Sequence, residues 1–376
     1  MSFTQFASQM FGVDKSKFKS WLWQMNNQIR DKKSCEKYFK LSPDEQEGFD
    51  KLNEIFNFGC SPYYAALIKK VEKESPKRAK SLRSQVLPHI QEAFDNEGVK
   101  DPLDEVLHSP VKEVVHLYPD RVAFCVAMLC SVYCRFCYRK RRDDEHIGLH
   151  YNRKIIANGV KYIAETPAIK DVLITGGDPF VASDEAIDYL LSQLRAIPHV
   201  EIIRFGTRVP VTMPYRITDD LCSVLKKYHP IWLNTHFNCV EELTDDACSS
   251  LKLLADAGIP IGNQSVLLKD VNDSYDAMKA LCSKLIVNRV RPYYLFYPHL
   301  IAGTKHLRVP YKLGLDIIRK LRGKISGYAI PTYVIDTPSG KVPLYHNHIL
   351  GEDKEDLLLE DLNQEIWREK KALKLS

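Results

Sequence analysis

Arg121-Val-Ala-Phe-Cys-Val-Ala-Met-Leu-Cys130-Ser-Val-Tyr-Cys134-Arg-Phe-Cys137 is the stretch on which the fold turns. Its first seven residues form an apolar, strand-like run, and three cysteines follow at C-x3-C-x2-C spacing. Working outward, similar short runs recur at Asp171–Thr175, Glu201–Gly206, Ile231–His236, Pro260–Leu267, Arg291–Phe296 and Ala329–Ile335. Between them, Glu185–Ala196, Thr218–Lys227, Thr244–Ala257 and Ser274–Ile286 have helical length and periodicity. Strand and helix in repeated alternation mean parallel strands joined by right-handed crossovers. The pattern predicts an α/β fold, a partial or full (β/α) barrel of parallel strands. A doubly wound open sheet is the rival, because sequence does not decide closure.

Upstream of this unit, residues 1–110 read as a helical region. Ser42-Pro43-Asp44-Glu45 places an N-cap serine, a first-turn proline and a carboxylate three residues after the cap. Ser75-Pro76 repeats the start signal before a basic helix expected over Lys77–Gln91. The barrel unit is expected over 111–345, and the tail 346–376 is expected to be helical. Charged residues at 27% and hydrophobic ones at 45% exclude disorder, collagen and coiled coil as whole-chain descriptions. A net charge of +5 over 376 residues points to neither nucleic acid nor membrane. The longest apolar run, Val122–Cys130, is about half of a bilayer span. The start, Met1-Ser-Phe-Thr-Gln-Phe, lacks a basic segment followed by an apolar one, so a cytoplasmic protein is expected. Seven of the ten cysteines (Cys35, Cys60, Cys125, Cys222, Cys239, Cys248 and Cys282) read as small buried hydrophobes.

In α/β barrels the working residues follow the C-terminal ends of the strands. Unusual residues stand at those places here. Cys130–Cys137 follows the first strand, Gly176-Gly177-Asp178 the second, and Thr207-Arg208 the third. His236 and Asn238 end the fourth, Gln264 lies in the fifth, His299 follows the sixth and Lys341 the seventh. This ordering points to an enzyme. A structural zinc site and a ferredoxin cluster each need four protein ligands. Three thiolates on a [4Fe–4S] cluster leave one iron open, which is the requirement of the radical S-adenosylmethionine enzymes. Gly176-Gly177-Asp178 is a plain turn on its own; in this register it resembles the motif that binds the amino group of S-adenosylmethionine. The basic run Arg139-Lys140-Arg141-Arg142 is a solvated face or, beside the cysteines, an anion-capturing one.

His116-Leu-Tyr118-Pro-Asp-Arg121-Val, Cys130–Arg142, Leu173-Ile-Thr-Gly-Gly-Asp178 and Asn234-Thr-His-Phe-Asn238 together resemble the lysine 2,3-aminomutase family. Gly258–Leu268, Arg289-Val-Arg-Pro-Tyr-Tyr294 and Gly327-Tyr-Ala-Ile-Pro-Thr332 extend the likeness, which runs from about residue 18 to 345. The resemblance implies transfer of an α-amino group to C3 of a free amino acid, using a [4Fe–4S] cluster, S-adenosylmethionine and pyridoxal 5′-phosphate. It makes Cys130, Cys134 and Cys137 the cluster ligands and Lys341 the lysine that carries pyridoxal phosphate. Arg121 matches the phosphate-binding arginine, and Gly176, Gly177, Asp178, His236 and Gln264 join the cofactor-binding set. Arg139 matches the arginine that receives the substrate carboxylate. Asp336 matches one of two carboxylates that hold a distant ammonium, and His299 stands in the place of the other. L-lysine is the first-choice substrate, with arginine, ornithine, glutamate or a protein-linked lysine as alternatives. A flavodoxin or ferredoxin is implied as electron donor, with a possible homo-oligomer and no nucleic acid. The family's extra zinc site is not implied, since Ser274 stands where a cysteine is expected. Two other classes compete. An iron–sulfur sensor needs no cofactor lysine, and an RNA-modifying radical enzyme needs an added nucleic-acid-binding region.

Overall fold

The computed structural model describes residues 1–52, 55–140, 150–361 and 363–370. Nine strands form one sheet in sequential order. They are β1 (Val114–Tyr118), β2 (Arg121–Ala127), β3 (Asp171–Gly176), β4 (Ile202–Gly206), β5 (Ile231–Thr235), β6 (Ile261–Val266), β7 (Val290–Phe296), β8 (Thr332–Thr337) and β9 (Gly340–Pro343). Strands β2 to β8 are parallel, and β1 and β9 add one antiparallel strand at each edge. A doubly wound sheet reverses its strand order part-way across. Here the order never reverses, so the winding continues in one direction and curls the sheet into a nearly closed barrel. Side chains bridge the two edges: Lys341 N–H donates to Tyr118 Oη at 2.8 Å, and a His108 ring nitrogen lies 3.0 Å from the Pro338 carbonyl.

The crossover helices share one construction. Ser183, Thr218, Thr244 and Ser274 each accept a backbone N–H at a helix start. Asp or Glu stands in the first turn of each, where the helix dipole favours negative charge. Ile187, Leu190, Leu191 and Leu194 bury one stripe of the helix Asp184–Arg195. Cys222 and Cys282 lie buried on such stripes.

Helices also fill the first part of the chain. At Ser42 the capping box is reciprocal: Ser42 N–H donates to Glu45 Oε2 at 2.8 Å, and Glu45 N–H donates to Ser42 Oγ at 3.2 Å. The helix expected over Lys77–Gln91 is shorter, Pro76–Arg83. Leu87 precedes Pro88 and is disfavoured in helical geometry, so a short 3-10 turn, Ile90–Phe94, takes over. The tail needs a larger correction. Where a helix was expected, β10 (Ile349–Glu352), β11 (Asp356–Glu360) and β12 (Ile366–Lys370) form a separate antiparallel sheet. Asp353 Oδ1 accepts the N–H groups of Glu355 and Asp356 and closes the first turn, which turns a polar-apolar stretch back on itself. Residues 371–376 of that tail lie outside the described residues. Among the described residues no helix is long and apolar enough to cross a membrane.

Candidate active site

The cysteine loop leaves the C-terminal end of β2 and is clamped by the N-terminal helical region. Gln28 Nε2 donates to the carbonyls of Cys130 (3.0 Å) and Ser131 (2.8 Å). Tyr133 N–H reaches the Gly59 carbonyl at 2.9 Å, and Arg135 N–H reaches that of Gln85 at 2.9 Å. The Arg135 side chain, buried, pairs with Glu92 at 2.5 Å, and Lys140 Nζ joins the same carboxylate at 2.8 Å. Burial opposes the Glu92 charge, but Arg135 and Lys140 outweigh it and hold the carboxyl down at about 2. Lys140 also donates to the Gly303 carbonyl at 3.1 Å. Both described members of the basic run are therefore neutralised internally; Arg141 and Arg142 lie outside the described residues.

Gly176 and Gly177 pack this loop onto β3. A Cβ on Gly176, at φ +116°, would meet the Ala127 carbonyl oxygen at 2.4 Å, and one on Gly177 would meet that of Leu129 at 2.5 Å. The close approach these glycines permit is to the stem of the cysteine loop. Asp178 is buried, and its carboxylate accepts from Thr207 Oγ1 (2.6 Å), Arg208 N–H (2.8 Å) and Phe180 N–H (3.1 Å). It positions Thr207 and Arg208 after β4. Arg208 then donates to Cys134 Sγ at 2.8 Å, Glu242 Oε1 at 2.7 Å and Gln85 Oε1 at 2.6 Å. Burial disfavours its charge, yet Cys134 and Glu242 push it above its ordinary value. Burial raises the Cys137 thiol to about 11, a proton that iron ligation would displace.

Just past β5, burial and then Arg208 push His236 down to about 3, so its ring is neutral. His236 Nε2 and Thr235 Oγ1 are buried without a protein partner. Gln264, half-buried opposite Tyr294 at a β-bulge, has no side-chain partner among the described residues. Orphaned polar atoms beside a cysteine loop fit a polar cofactor such as S-adenosylmethionine.

The third part of the site is ionic. The Arg139 side chain, 8% exposed, pairs with Glu105 through two bonds, 2.5 and 3.0 Å, with Thr175 Oγ1 at 3.4 Å. Burial opposes its charge, and Glu105 more than restores it. The Tyr138 ring lies 5.1 Å from that of His299. His299 Nε2 is 3.1 Å from Asp336 Oδ2, and Lys341 Nζ is 2.9 Å from Asp336 Oδ1. Burial raises the Asp336 carboxyl, but His299 and Lys341 win and hold it below its ordinary value. Asp336 and Lys341 are register partners across the β8–β9 turn. Arg121 opens β2 instead of following it; its guanidinium lies 3.8 Å over the ring of Tyr118, whose hydroxyl holds Lys341 N–H. A cation and a lysine linked through one tyrosine fit a phosphate-bearing aldehyde such as pyridoxal phosphate.

Sequence reading missed Glu105, Glu92, Gln28, Gln85, Glu242 and Tyr118, and gave Arg208 no role. Tyr118 and Arg208 stood inside noted motifs. The others lie in stretches with no motif, where only contacts identify them.

A model of the radical SAM superfamily matches residues 126–281, and one described as lysine-2,3-aminomutase matches residues 318–367. The chain is 42% identical to L-lysine 2,3-aminomutase of Fusobacterium nucleatum over 354 residues, 92% of this chain and 81% of that protein. It is 41% identical to that of Clostridium subterminale over 353 residues, 92% and 83% of the two chains. It is 38% identical to glutamate 2,3-aminomutase of Clostridioides difficile over 342 residues, 90% and 80% of the two chains.

Proposed function

The chain belongs to the lysine 2,3-aminomutase family of radical S-adenosylmethionine enzymes, and from that membership we propose that it moves the α-amino group of free L-lysine to C3. One observation carries the reading. A line of contacts runs from the cysteine loop to the cofactor lysine: Tyr138 against His299, His299 on Asp336, Asp336 on Lys341. The loop that would hold the cluster and the lysine that would carry pyridoxal phosphate are thereby neighbours at the C-terminal end of the parallel strands.

When bound, the cofactors supply a reductively generated 5′-deoxyadenosyl radical and an electron-accepting pyridine ring. The remaining work falls to the chain. Cys130, Cys134 and Cys137 would hold the [4Fe–4S] cluster through three thiolates. His236 and Gln264 would line the S-adenosylmethionine side, and the Gly176–Asp178 turn would back the cysteine loop beside them. Arg121 would take the phosphate, and Arg139 would exchange Glu105 for the substrate carboxylate. Asp336 Oδ1, held by Lys341 Nζ, is the carboxylate oxygen for which a cationic side-chain tip would compete. His299 supplies weaker electrostatics than a second carboxylate, so lysine binds less tightly than two carboxylates would hold it. Glutamate is the second reading, favoured by the glutamate-specific relative and by His299 when protonated. An ionised Asp336 weighs against it.

The electron comes from a flavodoxin or ferredoxin, and the chain works in the cytoplasm, possible homo-oligomer contacts aside. The test is anaerobic reconstitution with the three cofactors and dithionite, incubation with all twenty amino acids, and mass spectrometry of β-amino products. β-Lysine is the expected product; 5′-deoxyadenosine without any β-amino acid would contradict the assignment.

A further inference from the structure

Away from the barrel, on the small C-terminal sheet, two histidines and a glutamate converge. Glu360 closes β11, and its N–H donates to the His348 carbonyl at 2.8 Å, so the two residues face each other across the pair. His346 and His348 are two residues apart just before β10. The rings lie 4.9 Å apart. His346 Nε2 is 2.8 Å and His348 Nδ1 is 3.5 Å from the same oxygen, Glu360 Oε2. The three donor atoms all lie within 4.8 Å of one another.

We propose that His346, His348 and Glu360 form a binding site for a divalent transition-metal ion of the zinc type. A tetrahedral ion with arms of 2.0–2.1 Å holds its donors roughly 3.3 Å apart, close to the separations found here. The other carboxylate oxygen, Glu360 Oε1, accepts from the Arg319 guanidinium, which turns Oε2 toward the two rings. Hydrogen bonding to His346 and the nearby Arg319 hold Glu360 below its ordinary value, in the ionised form a metal requires. Two imidazoles and one carboxylate oxygen suit zinc better than calcium or magnesium, which take oxygen ligands. Both histidine side chains are about one-third exposed, at 37% and 32%, so an ion can enter and a water can complete its shell. The bound ion would fasten the segment before β10 to the end of β11. This site shares no residue with the barrel chemistry.

The test uses the holoprotein with its cluster intact, so that the three loop cysteines cannot take up added zinc. Zinc is titrated against a chromophoric chelator, and cobalt is substituted to read tetrahedral d–d absorption. The wild type should bind one zinc per chain beyond its iron and show the cobalt bands. His346→Ala, His348→Gln and Glu360→Gln should each lose both signals while keeping the cluster spectrum and aminomutase turnover. Either histidine can be tested alone if the other variant misfolds. Equal zinc binding by wild type and variants, or no competition with the chelator by the wild type, would overturn the proposal.

Discussion

The cysteine loop and the ion pairs around Lys341 meet at the same end of the barrel and are held in opposite ways. Around the loop, partners are backbone carbonyls and a buried ion triad: Gln28, Gly59 and Gln85 grip the chain, and Glu92 neutralises Arg135 and Lys140. At the ion pairs, charged side chains satisfy one another, Arg139 with Glu105 and Asp336 with His299 and Lys341. Ligands for a metal cluster must stay in place, and backbone-bonded loops do that. A site for an amino acid would need contacts that can be exchanged, and ion pairs between side chains would keep each charge paired until a substrate group replaced one member.

Breaking the loop's anchor should have the larger effect. Glu92→Gln leaves two buried cations without a carboxylate and should cost about 3–5 kcal/mol of stability in a denaturant titration, with loss of the brown chromophore on standing. Glu92 is held down at about 2 from an ordinary 4.5, so its contribution is complete above 4.5 and fades as pH falls toward 2. The variant should lack that limb of the acid-unfolding curve. An unchanged curve would mean that the triad does not anchor the loop.

Exchange at the ion pairs predicts a smaller effect of the opposite kind. Glu105→Gln frees Arg139 for the substrate carboxylate, so the KM for the amino acid should fall by up to roughly tenfold, about 1.4 kcal/mol, with the cluster spectrum unchanged. A raised KM would make Glu105 a positioning residue for Arg139 instead. The smallest effect is expected at the side-chain tip. His299→Asp should raise turnover of lysine modestly, and Asp336→Asn should lower it for any basic amino acid. An unaltered ranking of substrates in both variants would move the tip pocket elsewhere.

Much of this contrast was legible beforehand. The seven parallel strands announce themselves because each is a short apolar run bounded by turn residues, and the cysteine spacing is a local pattern. Lys341, Arg139 and Asp336 came from matched flanks. The edge strands β1 and β9 were passed over, although each is a hairpin with its neighbour across a two-residue turn, Pro119-Asp120 and Pro338-Ser339. Glu92, Gln28 and Glu105 were illegible for a different reason: their partners lie 43, 102 and 34 positions away in sequence. The tail misled because Leu357-Leu358-Leu359 between charges reads as helix, and only pairing with β10 and β12 makes it a strand.

The central claim is that one end of the barrel carries two machineries, a cluster held rigidly and an amine held exchangeably, joined through Tyr138 and His299. Its most direct test compares Cys134→Ala and Lys341→Ala holoprotein preparations in one anaerobic assay that measures 5′-deoxyadenosine and β-amino product together. Cys134→Ala should form neither. Lys341→Ala should keep the brown chromophore and some reductive cleavage of S-adenosylmethionine, yet yield no β-amino acid. Product from Lys341→Ala, or wild-type 5′-deoxyadenosine from Cys134→Ala, would contradict it.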